Sequence, residues 1–160
     1  MHVQYVTQPD VQLGATISEL LEAEPLPRRV IFVSAFVGLQ AVTRFKESVK
    51  NLKSHGSAVR LVLGIDMGGT SQEVLKEVCS WDIEVKIIKH RIPGHTFHPK
   101  LYSFEWDDHA EIIIGSNNIT EGGLYSNYES SVRVRYDLPA DGAAYKTGNG
   151  SGGLCRISLV

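Results

Sequence analysis

The chain has 160 residues, of which 42% are hydrophobic and 21% are charged, and its formal net charge is −2. This length suits one domain with a hydrophobic core, and the composition excludes disordered and fibrous proteins. Because the charge is nearly balanced, there is no global basic field, and any anion site must be a local patch. Two cysteines, Cys79 and Cys155, are too few for a disulfide framework or a zinc site.

Two further patterns concern the location of the protein. No apolar run approaches the roughly 18 residues of a membrane span. Residues 1–14 lack the charged head and apolar core of a signal peptide. We therefore expect a cytoplasmic protein without a membrane segment.

The first ninety residues alternate between strand and helix patterns. A short strand at residues 2–7 is followed by a helix that runs from Asp10 to a point before Pro25, with apolar residues at helical spacing. Residues 28–36 form a near-continuous apolar run, which is typical of a strand buried on both faces. Residues 38–54 carry an apolar stripe on one helical face and predict a second helix.

The next elements repeat this alternation. Residues 58–65 predict another buried strand, Thr70 and Glu73 form a capping box that opens a helix, and residues 83–89 predict a third strand. Successive strands joined by helices make right-handed crossovers. We therefore predict a single α/β domain with a mostly parallel mixed β-sheet flanked by helices.

The second half changes in character. The patterns predict a loop at residues 90–97, strands at 100–106 and 111–115 around an acidic turn, a short helix at 120–124 and a strand at 129–136. The composition after Pro139 is rich in Gly, Ala, Asn and Ser. We therefore assign residues 1–137 to the domain and residues 138–160 to a Gly-rich linker or tail, the stub of a longer protein cut at a domain boundary.

A set of polar residues in the second half is suited to phosphate chemistry. His98 and Lys100 are two residues apart at a strand start, so their side chains project to the same face. Ser116 and Asn118 follow Gly115 at the end of the next strand and offer neutral donors to a ligand. A lysine charge, these donors and a histidine nucleophile can together grip and attack a phosphoryl group. Glu129 begins the last strand, where its carboxylate can fix the tautomer of His98.

Each part also has an ordinary structural interpretation. His-x-Lys occurs by chance, Gly-Ser-Asn-Asn is commonly a turn, and a glutamate such as Glu129 is commonly a solvated charge. The joint occurrence of these parts between apolar strands is much rarer than any one of them.

The combination HPK…GSNN…NYE resembles the His-x-Lys…Gly-Ser-x-Asn signature of the phospholipase D superfamily. The longer pattern FHPKLYSF…IIIGSNNITEGGLYSNYE is most similar to the nuclease branch, which contains metal-independent restriction endonucleases and phospholipase D-like domains attached to bacterial helicases. The segment VSAFV at residues 33–37 also fits this branch, so the resemblance covers residues 28–136.

The resemblance implies roles for individual residues. His98 would be the nucleophile or its acid/base counterpart, and Lys100 and Asn118 would bind the phosphate with Ser116 nearby. Glu129 would orient His98. The family pattern often has an Asp between Lys100 and the Gly-Ser pair. Here Glu105 and Asp108 stand at the two spacings that compete for it. The hairpin is about three residues longer than the pattern, so both acids are left out of the site and interpreted as exposed hairpin charges.

The superfamily's active site uses two His-x-Lys motifs related by a pseudo-twofold axis, and this chain carries one. The resemblance therefore implies a homodimer that completes the site across an isologous interface. Such a site needs neither metal nor cofactor, because Lys and amide donors stabilise the transition-state charge.

Several polar residues outside this set remain open. Lys89, His90 and Arg91 form a basic cluster that either contacts a nucleic-acid backbone or is a solvated loop. His95 lies either at the mouth of the site or on an exposed loop. Asp66 follows a predicted strand, where open α/β sheets place ligand sites, so it is a candidate to face the cleft.

Three functions are compatible with the sequence. The first is a homodimeric phosphodiesterase acting through a phosphohistidine intermediate, most similar to a restriction-type DNA endonuclease. The second is lipid phosphodiester chemistry, which the lack of a membrane segment and of a basic amphipathic helix disfavours. The third is a non-catalytic dimerisation or nucleic-acid-binding module of a larger protein, which the intact polar set disfavours.

Overall fold

Residues 1–148 are described by a computed structural model of the protein. In this part of the chain the strands are β1 (His2–Thr7), β2 (Arg29–Ser34), β3 (Ala58–Gly64), β4 (Glu84–Ile88), β5 (Lys100–Glu105), β6 (His109–Gly115) and β7 (Ser130–Asp137). The α-helices are α1 (Leu13–Leu21), α2 (Leu39–Thr43), α3 (Lys46–Ser54), α4 (Gln72–Cys79) and α5 (Gly142–Gly148), with a 3-10 turn at Asp66–Gly68 and a π-helical turn at Gly122–Ser126.

The strands form one mixed sheet in the order β1-β7-β6-β5-β2-β3-β4. Strands β2, β3 and β4 are parallel, whereas the pairings β2–β5, β5–β6, β6–β7 and β7–β1 are antiparallel. The predicted α/β domain with a mixed sheet and flanking helices is confirmed. The prediction that the sheet is mostly parallel is wrong, because antiparallel pairings predominate.

The reason lies in the connection that follows β4. The crossover rule applies to strands joined by a helix, and it holds for β2, α2–α3, β3, α4 and β4. After β4, residues 89–99 contain no helix and return the chain past the ends of β3 and β2, so that β5 begins beside the end of β2. A hairpin then adds β6, and the longer connection at residues 116–129 adds β7, each antiparallel to the preceding strand.

The sheet is covered unequally on its two faces. Helices α1 to α4 bury one face in a large core that includes four aromatic rings of β2, β5 and the helix break, namely Phe32, Phe45, Tyr102 and Phe104. The other face has a smaller apolar cluster to which Phe97 and Tyr145 contribute from a loop and from α5. No helix among the described residues is long and apolar enough to cross a membrane.

Two helices differ from their predicted form. The predicted helix over residues 38–54 is broken into α2 and α3, and the break places the buried Phe45 ring edge-on to Phe32 at 5.9 Å. The cap of α4 is Ser71, whose Oγ accepts from Val74 N, and not Thr70. Thr70 Oγ1 instead accepts from Val37 N at 3.1 Å, so it stabilises the loop after β2.

The segment after residue 137 also differs from its prediction. The sequence predicts a linker from residue 138, but Gly142–Gly148 form α5, and Tyr145 is buried with its ring 5.7 Å from that of Tyr136. The Tyr145 hydroxyl donates to Glu105 Oε2 at 2.7 Å. The buried Tyr145 side chain packs α5 against the sheet, and the Gly-rich composition of this segment did not predict a helix. Residues 149–160 of the predicted tail lie outside the described residues.

Candidate active site

The five predicted site residues lie at one edge of the sheet. His98 and Lys100 are at the start of β5, Ser116 and Asn118 follow β6, and Glu129 precedes β7. These elements are successive antiparallel neighbours, so the start of β5, the end of β6 and the start of β7 meet at the same edge. The carboxyl end of β2 joins them, because Ser34 pairs with Lys100.

His98 and Lys100 contact each other directly. Lys100 Nζ lies 2.8 Å from Nδ1 and 2.9 Å from Nε2 of His98, and it also donates to the His98 carbonyl at 2.9 Å. An ammonium group can only donate, so whichever of the two ring nitrogens bonds to it does so as an acceptor with a lone pair. His98 is exposed, whereas Lys100 is 5% exposed. The His98 ring is therefore open to solvent, while the Lys100 side chain that contacts it is buried.

Burial also affects the acid-base behaviour of the lysine. Desolvation lowers the pKa of Lys100 from its ordinary value, and the nearby charge of Glu129 acts in the opposite direction. Glu129 is thus electrostatically coupled to the lysine of the pair.

Asn118 is oriented by the backbone of the loop after β2. Its Oδ1 accepts from Phe36 N at 3.1 Å. Because a backbone N–H can only donate, the oxygen must face Phe36, which leaves Nδ2 as a donor on the opposite side of the amide. Asn118 lines the same cavity as His98, so its amide can donate to a bound anion.

Ser34 and Phe36 support this arrangement, and the sequence patterns assigned no role to either. The buried Ser34 hydroxyl donates to the Phe36 carbonyl at 2.7 Å and accepts from Ile119 N at 3.0 Å, so it ties the β2 loop to the Asn118 loop. The Phe36 ring lies edge-on to His98 at 5.9 Å. A serine at the end of an otherwise apolar strand is the feature that could have identified Ser34 from the sequence.

Glu129 has different partners from those expected. Its carboxylate accepts from Ser116 Oγ and, at 3.2 Å, from Asn127 Nδ2. Among the hydrogen bonds of the described residues, Glu129 has none to His98, so its role as the orienting group of His98 stays a prediction. In this structure the carboxylate instead fixes Ser116, whose Oγ also accepts from Ser130 N at 3.2 Å.

Gly115 and Asn117 shape the loop that carries the donors. A Cβ on Gly115 would lie 2.1 Å from Ser131 Oγ and 2.4 Å from the Ser130 carbonyl, so only glycine permits β6 and β7 to approach here. Asn117 is buried and donates to Gln8 Oε1 at 3.1 Å and to the Gly123 carbonyl at 2.7 Å. In the Asn-Asn pair the first amide is therefore structural and the second faces the cavity.

The site is an open cavity of about 570 Å³, and the residues that line it include His98, Lys100, Ile114, Ser116, Asn118 and Ser130. Ile114 is 50% exposed at the rim. This chain supplies one histidine and one lysine to the cavity. In the described part of the chain, no three His, Cys, Asp or Glu side chains are grouped as metal ligands.

The acids left out of the predicted site lie elsewhere. Glu105 is at the opposite end of β5, where it is buried and paired with Arg28. The expectation that Glu105 is an exposed hairpin charge is therefore wrong. Asp108 is an exposed turn residue that pairs with His109 at 2.6 Å. Both lie at the edge of the sheet remote from His98.

The residues that the sequence left open are also located. Asp66 is buried, and its carboxylate accepts from the backbone of His90 and Phe97 and so does not face the cavity of His98. These hydrogen bonds, led by that of Phe97, hold the pKa of Asp66 below its usual value. Lys89, Arg91 and His95 are exposed on the loop that Asp66 organises.

Comparisons with known proteins identify a matching family and a shared fold. The family model for "Cardiolipin synthase, PLD-like domain" matches residues 17–140. NucT from Helicobacter pylori is 12% identical with a TM-score of 0.63, and the match covers 96% of this chain and 95% of NucT. Nuc from Salmonella typhimurium, a phospholipase D family member, is 17% identical with a TM-score of 0.60 over 92% of this chain and 90% of Nuc.

A third similar structure is phosphatidylserine synthase from Haemophilus influenzae, which is 14% identical with a TM-score of 0.66. That match covers 93% of this chain and 38% of the synthase. No curated protein sequence matches the chain. At these identities the structural matches establish a shared fold.

Proposed function

Since the chain belongs to the phospholipase D superfamily, we propose that it is a metal-independent phosphodiesterase, and specifically a DNA endonuclease of restriction type that works as a homodimer. The observation that carries the proposal is the contact between Lys100 Nζ and the ring of His98 at 2.8 Å, in an open cavity that Ser116 and Asn118 also line. A nucleophile and three phosphate-binding groups thus converge on one space.

The proposed first step is attack by a His98 ring nitrogen on the phosphorus of a diester. A nitrogen–phosphorus bond forms and the bond from phosphorus to the leaving oxygen breaks. Lys100 turns from the ring to the equatorial phosphate oxygens, and the Asn118 amide donates to the same group. The Asn118 amide is held by Phe36 N before the reaction, and together with Lys100 it stabilises the charge that develops in the transition state.

The leaving oxygen needs a proton, which His98 cannot supply while it acts as nucleophile. In the proposed dimer the second copy's histidine donates that proton. It then accepts a proton from water, the resulting hydroxide attacks phosphorus, and the nitrogen–phosphorus bond breaks to restore His98. A twofold axis near the rim of the cavity brings both copies together with one motif from each.

A nucleic-acid substrate is favoured over a lipid because the motif segments are most similar to the nuclease branch. The alternative is a non-catalytic dimerisation or nucleic-acid-binding module of a larger protein. The intact set of His98, Lys100, Ser116, Asn118 and Glu129 argues against it.

The direct test is cleavage of plasmid DNA in excess EDTA by the wild-type chain, by His98→Ala and by the control His55→Ala. His55 is exposed at the end of α3, away from the site. We expect cutting to persist in EDTA, to persist in the control and to fall at least about 1000-fold in His98→Ala, because the nucleophile is removed. Cutting that needs a divalent ion, or that survives His98→Ala, would contradict the mechanism.

Oligomeric state separates the proposal from its alternative. Sedimentation of the wild-type chain should give a dimer, and mapping of the cut ends should give fixed positions if the enzyme is of restriction type. A monomer that cuts DNA would contradict the shared site. A dimer that binds DNA without cutting it would support the non-catalytic module.

A further inference from the structure

The loop that leads into His98 is held by a single carboxylate. The buried Asp66 accepts from His90 N at 3.0 Å through Oδ1 and from Phe97 N at 2.8 Å through Oδ2. The two hydrogen bonds fix both ends of the loop, while its tip, which turns at Gly94 with a φ of 79°, projects into solvent. The loop is therefore an anchored structure with an exposed outer surface.

Its position places it beside the candidate active site. The loop leaves β4 at the carboxyl end of the parallel strands and passes the ends of β3 and β2 before β5 begins. Phe97 packs at the end of β3, where a Cβ on Gly64 would lie 3.0 Å from its ring. His98 follows directly, so a ligand that extends from His98 toward the ends of β2 and β3 passes the loop.

The loop is strongly basic in a chain whose net charge is −2. Residues 89–96 contain Lys89, His90, Arg91 and His95 and no acidic residue. Lys89 and Arg91 are exposed and form no ion pair within the described residues. Two positive charges that form no ion pair in the described part of the chain therefore lie on the loop that leads into the candidate site, with the Asp66 carboxylate as the nearby charge that acts on Lys89.

The two histidines of the loop form a flat aromatic surface. The rings of His90 and His95 are stacked with centroids 5.0 Å apart and an angle of 13° between their planes. His90 Nδ1 also accepts from Ile92 N at 3.2 Å, which fixes that ring against the loop. Stacked rings beside arginine and lysine are the combination with which proteins bind single-stranded nucleic acids without reading their sequence.

We propose that residues 89–96 are a binding site for the polynucleotide backbone next to the scissile phosphate, with Lys89 and Arg91 contacting phosphates and the stacked histidines contacting a base or sugar. This inference rests on the proposed function and extends it from the reacting phosphate to the flanking strand. A membrane surface is the competing ligand for a basic loop. It is disfavoured because Ile92 is the only large apolar side chain in residues 89–96, and one such residue is a weak membrane anchor.

The test is the affinity for a fluorescent 20-nucleotide single strand, measured at several salt concentrations with a Lys89→Ala/Arg91→Ala double variant. The matched control is Lys50→Ala/Lys76→Ala, which removes the same charge from exposed positions on α3 and α4. Because salt-dependent affinity reflects the number of phosphates contacted, we expect binding on the order of tenfold weaker and a salt slope reduced by about 0.7 per lost contact. The control should bind as the wild type does.

A charge-preserving variant, Lys89→Arg/Arg91→Lys, separates charge from structure and should restore binding. Equal affinity and equal slope in the wild type and the alanine double variant would overturn the inference. Loss of binding to vesicles containing phosphatidylglycerol, with unchanged binding to the single strand, would also overturn it in favour of a membrane surface.

Catalysis is scored separately with bis(4-nitrophenyl) phosphate, which is too small to reach the loop. If the wild type hydrolyses this diester but the loop variant binds the single strand normally, the loop inference fails and the proposed function stands. If the wild type hydrolyses neither substrate, the proposed function fails. The ratio of kcat/KM for the polynucleotide to that for the small diester should fall about tenfold in the loop variant.

Discussion

At the scale of single residues, Lys100 combines two properties that oppose each other. Phosphate binding needs its charge, whereas burial at the start of β5 disfavours that charge and lowers its pKa. Glu129 offsets part of this effect. The lysine is therefore held as a cation that loses its proton at lower pH than an exposed lysine does.

This has a consequence for the pH dependence of activity. If charged Lys100 binds the substrate phosphate, activity should fall on the alkaline side below pH 10.5, the ordinary lysine value. In Lys100→Arg the guanidinium stays charged throughout the alkaline range, so the alkaline limb should move to higher pH even if the maximal rate falls. The measurement is kcat/KM against pH for both proteins. An alkaline limb at the same pH in both would show that another group controls it.

At the scale of elements, the sequence predicted well where one physical rule acts alone. All seven strands were predicted because apolar or alternating runs bounded by turn residues determine strands locally. The motif placed His98, Lys100, Ser116 and Asn118 together because adjacent antiparallel strands share an edge. The capping rule alone does not choose between Thr70 and Ser71, because the hydroxyl of either residue can cap α4. Only the tertiary bond from Val37 N to Thr70 decides between them.

The alternative contacts of residues 70 and 71 are testable. Ser71→Ala should lower the free energy of unfolding by about 0.5–1 kcal/mol, at the weaker end for a cap because the Val74 N to Ser71 Oγ distance is 3.4 Å. Thr70→Val should cost about 0.5–1.5 kcal/mol, because the buried Val37 N loses one of its two acceptors and keeps the Gly69 carbonyl at 3.2 Å. Urea unfolding measures both. An unchanged free energy of unfolding in Ser71→Ala, together with a loss in Thr70→Val, would instead indicate that Thr70 is the cap.

Other features could not be predicted from local patterns. Ser34 orients the Asn118 loop through contacts with residues 36 and 119, and the second of these is far along the chain. Glu129 contacts Ser116 because β6 and β7 are in register, which no single segment specifies. These contacts depend on packing between elements, so local sequence patterns could not predict which residues they join.

At the scale of the whole molecule, α5 gives the less covered face of the sheet part of its apolar core. Tyr145 packs against Tyr136, and its hydroxyl donates to Glu105, which is also paired with Arg28. Burial and this contact raise the pKa of Tyr145 well above that of a free tyrosine. The helix thus belongs to the domain, although its composition resembles a linker.

Removal of that side chain should therefore destabilise the fold. Tyr145→Ala should lower the free energy of unfolding by about 3 kcal/mol, because it empties a buried aromatic position. Tyr128→Ala is the matched control, since Tyr128 is 90% exposed and its loss should change stability by less than about 0.5 kcal/mol. Equal stability of the two variants in urea unfolding would mean that α5 is not docked in solution.

The pairing of β1 with β7 has a consequence for how the chain acquires its fold. His2 lies opposite Arg135 and Thr7 opposite Ser130, so within residues 1–148 the strand β1 has its only strand partner more than 120 residues later. During synthesis β1 cannot pair with β7 until β7 has left the ribosome, whereas the β2–β3 and β3–β4 pairings join strands that are close in sequence. Contacts of such long separation slow folding. The outermost strand β1 is thus the last strand that can join the sheet.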